Sequence, residues 1–232
     1  MIVYYATDYE MTKVYSDLQS RRTTNDNPAN FLSCPAVRNS WHNVFMFAPK
    51  KTSEVTYVRD LVLRTEDLPI SQGRKSHLLG TNIFNLDSPS YFFCEQPLMM
   101  KVTAPYFHKI DYQIKGTFIG GVFDIGRWFR PIESEIITWD EQGEITFTEG
   151  QPLFYVEFLS DLPVILKQFT LNPIIEHLSS TLVNSPYQNL ENLQGSLESR
   201  YKGFENSNFR KGLINEIRDA LVEKNQSGTI SL

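Results

Sequence analysis

The sequence has few of the residues that bind metals or form disulfides. Its 232 residues include 2 cysteines and 4 histidines, and no histidine stands at metal-ligand spacing from a cysteine or another histidine. One pair of cysteines cannot build the disulfide framework of a small secreted protein. Cys34 and Cys94 lie among apolar or aromatic residues, as buried and reduced thiols do. We therefore predict no disulfide, no metal site and no cofactor.

An excess of positive charge and long apolar runs are also lacking. The chain carries 22 Lys and Arg against 27 Asp and Glu, a formal charge of −5, which argues against a protein that grips a nucleic-acid backbone. No stretch approaches the roughly 20 apolar residues of a membrane helix, and Met1–Tyr5 lacks the basic start of a signal peptide. These features predict a cytoplasmic protein whose partner is neither a membrane nor a nucleic acid.

The local motifs of nucleophilic catalysis are missing as well. There is no Gly-x-Ser-x-Gly elbow, and neither cysteine has an activating neighbourhood. The segment Gln72–Ser76 ends like a phosphate-binding loop, but Leu68 stands where the first glycine of that motif belongs. The sequence therefore favours a protein that is not an enzyme.

Short β-strands are the main secondary structure that the sequence predicts. The clearest are β-branched or aromatic runs between turn residues: Val44–Phe47, Val55–Val58, Leu98–Thr103, Leu153–Leu159 and Val164–Phe169. Two more segments, Glu133–Trp139 and Glu144–Thr148, alternate partly with period two, and Asp140–Gly143 between them predicts a β-hairpin. Many short strands with frequent turns predict a mainly β protein, α+β overall, built as a sandwich, a jelly roll or a small barrel.

The N-terminal part carries weaker signals. Asp8 predicts the start of a short helix that runs to Leu18. Arg21–Asn30 predicts a loop because polar residues and proline dominate it, and residues 65–80 predict a second, long loop rich in glycine and polar residues.

The C-terminal part changes to helical periodicity. Apolar residues recur at helical steps in Ile174–Leu182 and more regularly in Phe209–Leu221. We therefore divide the chain into a β-rich domain of residues 1–172 and a helical C-terminal extension of residues 173–232. These helices need an apolar partner, which is either their own sheet or another subunit.

Aromatic residues are concentrated in the middle of the chain. Trp, Tyr and Phe number 3, 11 and 16, and half of them lie between Tyr91 and Phe158. Core packing accounts for most of these rings. Neighbours on a strand point to opposite faces, so each adjacent pair places one ring towards solvent, a ligand or another subunit unless the strand is buried on both sides. The adjacent pairs are Phe92-Phe93, Tyr106-Phe107 and Trp128-Phe129.

One short run, Gly120–Pro131, combines groups that suit a ligand site. Its glycine pair allows the backbone to approach a ligand closely, and Asp124 can bind a hydroxyl or activate a water. Arg127 and Arg130 can pair with an anion, and Trp128 can stack on a ring. In the alternative interpretation, Gly126 supports a β-bulge and the arginines extend from a sheet edge.

The same region resembles a known family. Gly121–Asp124, a short corner, a strand, a turn, a strand and then Gly150–Phe158 resemble the C-terminal half of the dUTPase and dCTP deaminase superfamily, over residues 117–169. The resemblance implies a distorted β-barrel of the β-clip type and a trimer with sites between subunits. It also implies that Asp124 is the carboxylate of the family motif and that Trp128 stands near the aromatic residue that follows it.

Two further features shape what this resemblance implies. Ala104–His108 occupies the stretch where the family carries an Arg-Ser phosphate motif, so the fold is implied more strongly than triphosphate hydrolysis. The chain as a whole also resembles uncharacterised proteins of large tailed bacteriophages in the overall character of its sequence, for example in Asn30–Ala36. That likeness implies a location in the host cytoplasm or in the virion, and no activity.

Our leading hypothesis is a phage-type, dUTPase-like protein that binds a nucleotide-like or other anionic small molecule and forms a homo-oligomer, without efficient catalysis. Asp124, Arg127, Trp128 and Arg130 are its predicted ligand-binding residues. The alternative is a structural or assembly-accessory protein without a small-molecule ligand, in which the aromatic pairs and the helix at 209–221 form subunit contacts. A third possibility is a nucleotide hydrolase whose phosphate motif comes from elsewhere in the chain.

Overall fold

The computed structural model of the chain describes residues 1–20, 31–59, 61–65, 70–76, 81–184, 204–205 and 207–222. The strands are β1 (Ile2–Ala6), β2 (Glu10–Lys13), β3 (Val44–Ala48), β4 (Ser53–Val58), β5 (Leu61–Thr65), β6 (Ile70–Ser76), β7 (Thr81–Cys94), β8 (Met99–Thr103), β9 (Gly116–Ile119), β10 (Gly121–Asp124), β11 (Pro131–Thr138), β12 (Gln142–Phe147), β13 (Phe154–Phe158) and β14 (Ile165–Gln168). The helices are α1 (Val14–Ser20), a short 3-10 helix (Phe31–Ser33), α2 (Pro35–Ser40), α3 (Tyr112–Lys115), α4 (Pro173–Asn184) and α5 (Asn208–Asp219).

The strands form three sheets. Sheet A has the order β14-β1-β7-β11-β9, with β6 also paired to β7, sheet B has the order β10-β8-β13-β3-β2, and sheet C has the order β12-β4-β5. The pair β1–β14 is parallel, and the other described pairs are antiparallel. The prediction of a mainly β, α+β protein is confirmed.

Within the described residues, none of these sheets closes into a barrel. Closure requires the outermost strands of a sheet to pair with each other, but β14 and β9 in sheet A, and β10 and β2 in sheet B, each pair with one neighbour. The two large sheets are instead held together by the side chains between them. Of the sandwich, jelly roll and small barrel that the sequence left open, a closed barrel is not seen among the described residues, which form packed open sheets.

The main core lies between sheets A and B. Phe154 on β13 stacks on Phe47 of β3, with 5.0 Å between ring centroids, and reaches across to Phe118 of β9 at 4.8 Å. Phe92 on β7 meets Phe47 from the opposite sheet at 5.7 Å. Sheet C adds its own buried residues to this core, Val55, Tyr57, Ile145 and Phe147. The alternating apolar residues seen in the sequence thus fill the space between facing sheets.

Helices cover the outer faces of both large sheets. The outer face of sheet B packs against α1 and α2 through Val14, Trp41, Met46 and Tyr155, among others. The outer face of sheet A packs against α4 and α5, where Ile175, Leu213 and Ile217 are completely buried. The C-terminal helices therefore find their apolar partner on the sheet of their own chain.

No described helix has the length and apolar character needed to cross a membrane.

This layering explains one adjacent aromatic pair. Phe92 faces the core between the sheets, and Phe93 faces the layer of C-terminal helices, so β7 is buried on both sides and both rings are inaccessible. Pro89 also lies within β7. It is accommodated by a register shift between Ile132 and Ser134 of β11, which removes the need for a regular ladder hydrogen bond there.

Several local predictions were wrong. Residues Glu10–Lys13 form the edge strand β2 instead of helix, because they pair with β3, and the helix begins at Val14. Part of the predicted loop 65–80 is the strand β6, which pairs with β7 and shifts register between Ser71 and Arg74, around Gly73. Cys34 is exposed, whereas Cys94 is buried as expected. The loop predicted for Arg21–Asn30 lies outside the described residues.

The predicted hairpin at Asp140–Gly143 was also wrong. The strands on its two sides belong to different sheets, since β11 pairs with β7 and β9, and β12 pairs with β4. The buried amide of Asn82 donates hydrogen bonds to the carbonyls of Asp140 and Glu141, at 3.4 and 3.2 Å. Long-range contacts therefore direct the chain at this turn from sheet A to sheet C, which a local turn signal cannot indicate.

Candidate functional site

The candidate site forms where the chain passes between the two large sheets. Strand β9 lies at the edge of sheet A, and β10, which follows after Gly120, lies at the edge of sheet B. A turn over residues 125–127 then leads back to β11 in sheet A. The predicted residues Asp124, Arg127, Trp128 and Arg130 all lie on this returning segment. Their common location follows from their closeness in sequence.

Asp124 shapes the turn that follows it. Its Oδ1 accepts hydrogen bonds from the backbone N–H groups of Gly126 at 3.2 Å and Arg127 at 3.1 Å, an arrangement typical of an aspartate that begins a turn. The turn is also fixed to the strand segment beneath it, because Ile125 donates to the carbonyl of Leu98 at 3.0 Å. The carboxylate is therefore held in one place by the backbone.

Gly126 is required at this turn because there is no room for a side chain. A Cβ atom on Gly126 would lie 2.1 Å from the carbonyl oxygen of Gln96 and 2.6 Å from the Cα of Pro97. Both contacts are with backbone atoms, so no side chain can move aside. The role of this glycine is close approach of two backbone segments, which differs from the β-bulge considered in the alternative interpretation.

A cavity of about 130 Å³ opens beside this turn. It is lined by Phe92, Val122, Phe123, Asp124, Ile125, Trp128, Arg130 and Ile132. Three of the four predicted binding residues therefore share one concave surface, and the rest of the lining is apolar. The volume is below the roughly 300–1,000 Å³ of common small-molecule pockets. It suits a single ring or a small group, with the remainder of a larger ligand in solvent.

The cavity combines an aromatic wall with opposite charges. The Arg130 guanidinium lies over the Phe123 ring, 5.6 Å from its centroid, in a cation–π arrangement. Arg130 is exposed and, within the described residues, takes part in no ion pair with an acidic side chain. Trp128 is half-buried at the same cavity. An anion next to Arg130 and a planar group next to Trp128 match these surfaces.

Arg127 is the predicted residue that the structure separates from the others. Its guanidinium pairs with Glu205, 3.4 Å away, and it does not line the cavity. Phe129, the neighbour of Trp128, is fully buried below the C-terminal helices. The adjacent pair Trp128-Phe129 is thus divided between the cavity and the core, as expected for neighbours on an extended segment.

Comparison with protein-family models, with curated proteins and with solved structures gave no match for this chain. The likeness to the dUTPase superfamily and to bacteriophage proteins accordingly stays a prediction. The site is described by its own geometry alone. Among the described residues, no group of three or more His, Cys, Asp and Glu side chains is arranged to hold a metal ion.

A second polar cluster was missed in the sequence. His108 lies between Asp17 of α1 and Tyr155 of β13, with its Nε2 2.7 Å from Asp17 Oδ2 and its Nδ1 hydrogen-bonded to the Tyr155 hydroxyl. The His108 and Asp17 side chains are only 5% and 13% exposed. The three residues are 91 and 47 positions apart, so no local spacing signals them. A neutral imidazole that donates from Nε2 and accepts at Nδ1 satisfies both contacts.

This cluster fastens α1 to sheet B, and it leads to a stability prediction. We expect His108→Leu to lower the free energy of unfolding by about 2 kcal/mol, because two part-buried hydrogen bonds, one of them to a carboxylate, are lost. Urea denaturation at neutral pH measures the change. His42→Leu is the matched control, since His42 is exposed. Equal losses in the two variants would show that the cluster does not stabilise the fold.

The buried thiol of Cys94 is not a candidate nucleophile. Burial raises the pKa of Cys94, and its Sγ–H donates to the carbonyl of Ile2 at 3.3 Å. A thiol that stays protonated is a weak nucleophile. Cys94 therefore belongs to the core of the sandwich.

Proposed function

We propose that this protein binds a small anionic ligand with a planar ring, of the nucleotide type, in the cavity beside the turn after β10. The observation that carries this proposal is the meeting of Asp124, Trp128 and Arg130 on one concave surface. A cation, a hydrogen-bond acceptor and an aromatic face are what a ring with an attached anion requires. The cavity accepts the ring or the anion, and the rest of the ligand extends over the exposed edge of β10.

Each residue has a separate role in this proposal. Arg130 pairs with the anion, and the exposed position of its guanidinium keeps it accessible. Trp128 stacks on the ring. Asp124 accepts a hydrogen bond from the ligand with the carboxylate oxygen that the turn amides leave available, since both amides donate to Oδ1.

The constraint on Asp124 favours binding over catalysis. A hydrogen bond from the ligand to the second carboxylate oxygen leaves the turn in place, because both turn amides donate to Oδ1, and we assign Asp124 this binding role without a proton transfer. The proposal therefore includes no efficient catalytic step. The dUTPase-like relationship of residues 117–169, the β-clip, the trimer and a bacteriophage origin are further parts of the proposal, and they favour a deoxynucleotide as the ligand.

Calorimetric titration tests the proposal. Deoxynucleoside mono- and triphosphates and cyclic nucleotides are added to the wild-type chain, and we expect one of them to bind with a dissociation constant below 1 mM, a binding free energy of about 4 kcal/mol or more. The absence of heat from all of them at millimolar concentration would contradict the proposal.

Arg130→Ala is expected to weaken the binding of that ligand by about 10- to 100-fold, because a charge-assisted hydrogen bond contributes roughly 1.5–3 kcal/mol. Arg38→Ala is the matched control, since Arg38 is an exposed arginine on α2, in the layer that covers the other sheet. An equal effect of both substitutions, or none from Arg130→Ala, would count against the assigned role.

A structural role is the second candidate, and one feature favours it. Ile114 and Trp139 are 71% and 51% exposed and lie close together at the end of the β9–β11 pair, where the backbone N–H of Trp139 donates to the carbonyl of Lys115 at 2.8 Å. Exposed apolar residues that lie close together are common at protein interfaces. Light scattering separates the candidates, because a defined assembly that forms without nucleotide favours the structural role.

A further inference from the structure

The C-terminal segment contacts the turn of the candidate site at three successive residues. Arg210 donates from Nη2 to the carbonyls of Glu95 at 2.5 Å and Gly126 at 3.5 Å. Glu205 pairs with Arg127, and Phe204 packs edge-on against Trp128 with 6.4 Å between ring centroids. Phe204, Glu205 and Arg210 therefore meet residues 126–128 by a ring contact, an ion pair and a contact with the backbone.

Arg210 links α5 to two main-chain segments at once. The Arg127–Glu205 pair is about one third exposed on both sides, and such pairs contribute little. Arg210 instead lies over the Phe93 ring, 5.6 Å from its centroid, while its guanidinium bridges two main-chain carbonyls. Both hydrogen bonds are donated by Nη2, which carries two N–H groups and can therefore join two acceptors.

The place of Arg210 on its own helix points to the same role. Ser207 caps α5 and accepts a hydrogen bond from the Arg210 backbone N–H at 3.2 Å, so Arg210 stands in the first turn. A cation is unfavourable at a helix N-terminus because it opposes the helix dipole. The gain that offsets this cost lies in the tertiary contacts that the side chain makes.

We propose that Arg210 is the positioning residue of the site, and that docking of α5 and ligand binding are coupled through it. This inference rests on the proposed function of the cavity. By contacting the Gly126 carbonyl, Arg210 positions the Gly126–Arg127 peptide plane, whose N–H donates to Asp124, and it thereby orients one of the two turn amides that hold Asp124. The ligand in turn strengthens docking of α5, because coupling between two binding events is reciprocal.

The chain contains a matched control for this contact. Arg218, also on α5, binds Glu95 as well, but through the carboxylate oxygens at 2.7 and 2.9 Å. Burial and a hydrogen bond to Glu95 raise the pKa of the Tyr4 phenol in the same cluster. Arg218→Ala therefore removes an arginine contact between the same helix and the same residue, without removing a contact to Gly126.

The first experiment needs no ligand. Hydrogen exchange of the Gly126 and Arg127 amides is measured in the full chain of wild type, Arg210→Ala, Arg210→Lys and Arg218→Ala. We expect exchange to be about tenfold or more faster in Arg210→Ala, because the turn opens locally, intermediate in Arg210→Lys, and unchanged within about twofold in Arg218→Ala. Equal acceleration in both alanine variants would overturn the positioning role. Far-UV circular dichroism checks that α5 remains helical in each variant.

The second experiment uses the nucleotide that binds best to the wild type. Arg210→Ala is expected to weaken its binding by about 5- to 20-fold, within the usual range of coupling between sites, and Arg218→Ala by less than about twofold. Unchanged affinity in Arg210→Ala would overturn the coupling although the proposed function stands. If no nucleotide binds the wild type, the proposed function and the coupling both fail, and amide exchange alone decides whether Arg210 positions the turn.

Discussion

Phe154→Ala is expected to lower the free energy of unfolding by about 4 kcal/mol, the usual cost of removing a fully buried Phe side chain. Phe154 lies at the centre of the core between the large sheets, where its ring contacts Phe47, Phe118 and Tyr9 with centroid distances of 5.0, 4.8 and 5.7 Å. Phe47 lies on the neighbouring strand β3 of sheet B and Tyr9 directly precedes β2 of that sheet, but Phe118 belongs to sheet A. The substitution removes part of the contact that holds the two sheets together.

Urea denaturation measures this loss, and two further variants sharpen it. Phe154→Leu is expected to cost less than Phe154→Ala, because a smaller cavity remains. Leu159→Ala, one residue beyond the same strand, is expected to change stability by less than about 0.5 kcal/mol because Leu159 is exposed. A loss below about 1.5 kcal/mol in Phe154→Ala would mean that the ring is not buried between two packed sheets.

Gly126→Ala is expected to lower the free energy of unfolding by about 3 kcal/mol and to abolish ligand binding at the candidate site. The added methyl group would lie 2.1 Å from the carbonyl oxygen of Gln96. Because the neighbouring atoms are main chain, the turn itself must shift away from Gln96 and Pro97. The hydrogen bonds from Gly126 and Arg127 to Asp124 would then be broken or distorted.

Gly212→Ala is the matched control, and we expect it to change the free energy of unfolding in the opposite direction. Gly212 lies inside α5, and no atom lies within 4 Å of the Cβ that alanine would add. Alanine is favoured over glycine in a helix interior by about 0.5–1 kcal/mol, so this variant should be more stable than the wild type. Denaturation and nucleotide titration of both variants test the pair. A Gly126→Ala chain that is as stable as the wild type would contradict the close approach of the two backbones.

The strands and helices that the sequence predicted best are those in which a face is buried. The strand at Val44–Phe47 and the helix at Phe209–Leu221 are both present, as β3 and α5. The helical period of α5 marks the side chains of one face, and the unbroken apolar run of β3 marks a strand that is buried on both faces. Both are local properties of the sequence. The helix expected from Asp8 failed because Glu10–Lys13 gains the hydrogen bonds of an edge strand on β3, and tertiary pairing of this kind overrides local propensity.

Three of the four predicted site residues lie together for the same reason. Asp124, Trp128 and Arg130 lie within one short segment, so any compact turn keeps them close together, and all three line the cavity. Arg127 belongs to the same segment, but its partner Glu205 is 78 positions away. The cluster of His108 was invisible in the sequence because its members come from α1, a loop and β13.

The sequence by itself determined the mainly β character of this protein, its helical C-terminal part and the short segment that carries the candidate site. These depend on periodicity and on neighbours along the chain. The tertiary structure alone decided that β11 and β12 enter different sheets, that α5 packs on sheet A and that Arg210 holds the turn beside Asp124. Such choices depend on which distant faces can bury each other and satisfy their polar groups, and no local pattern contains that information.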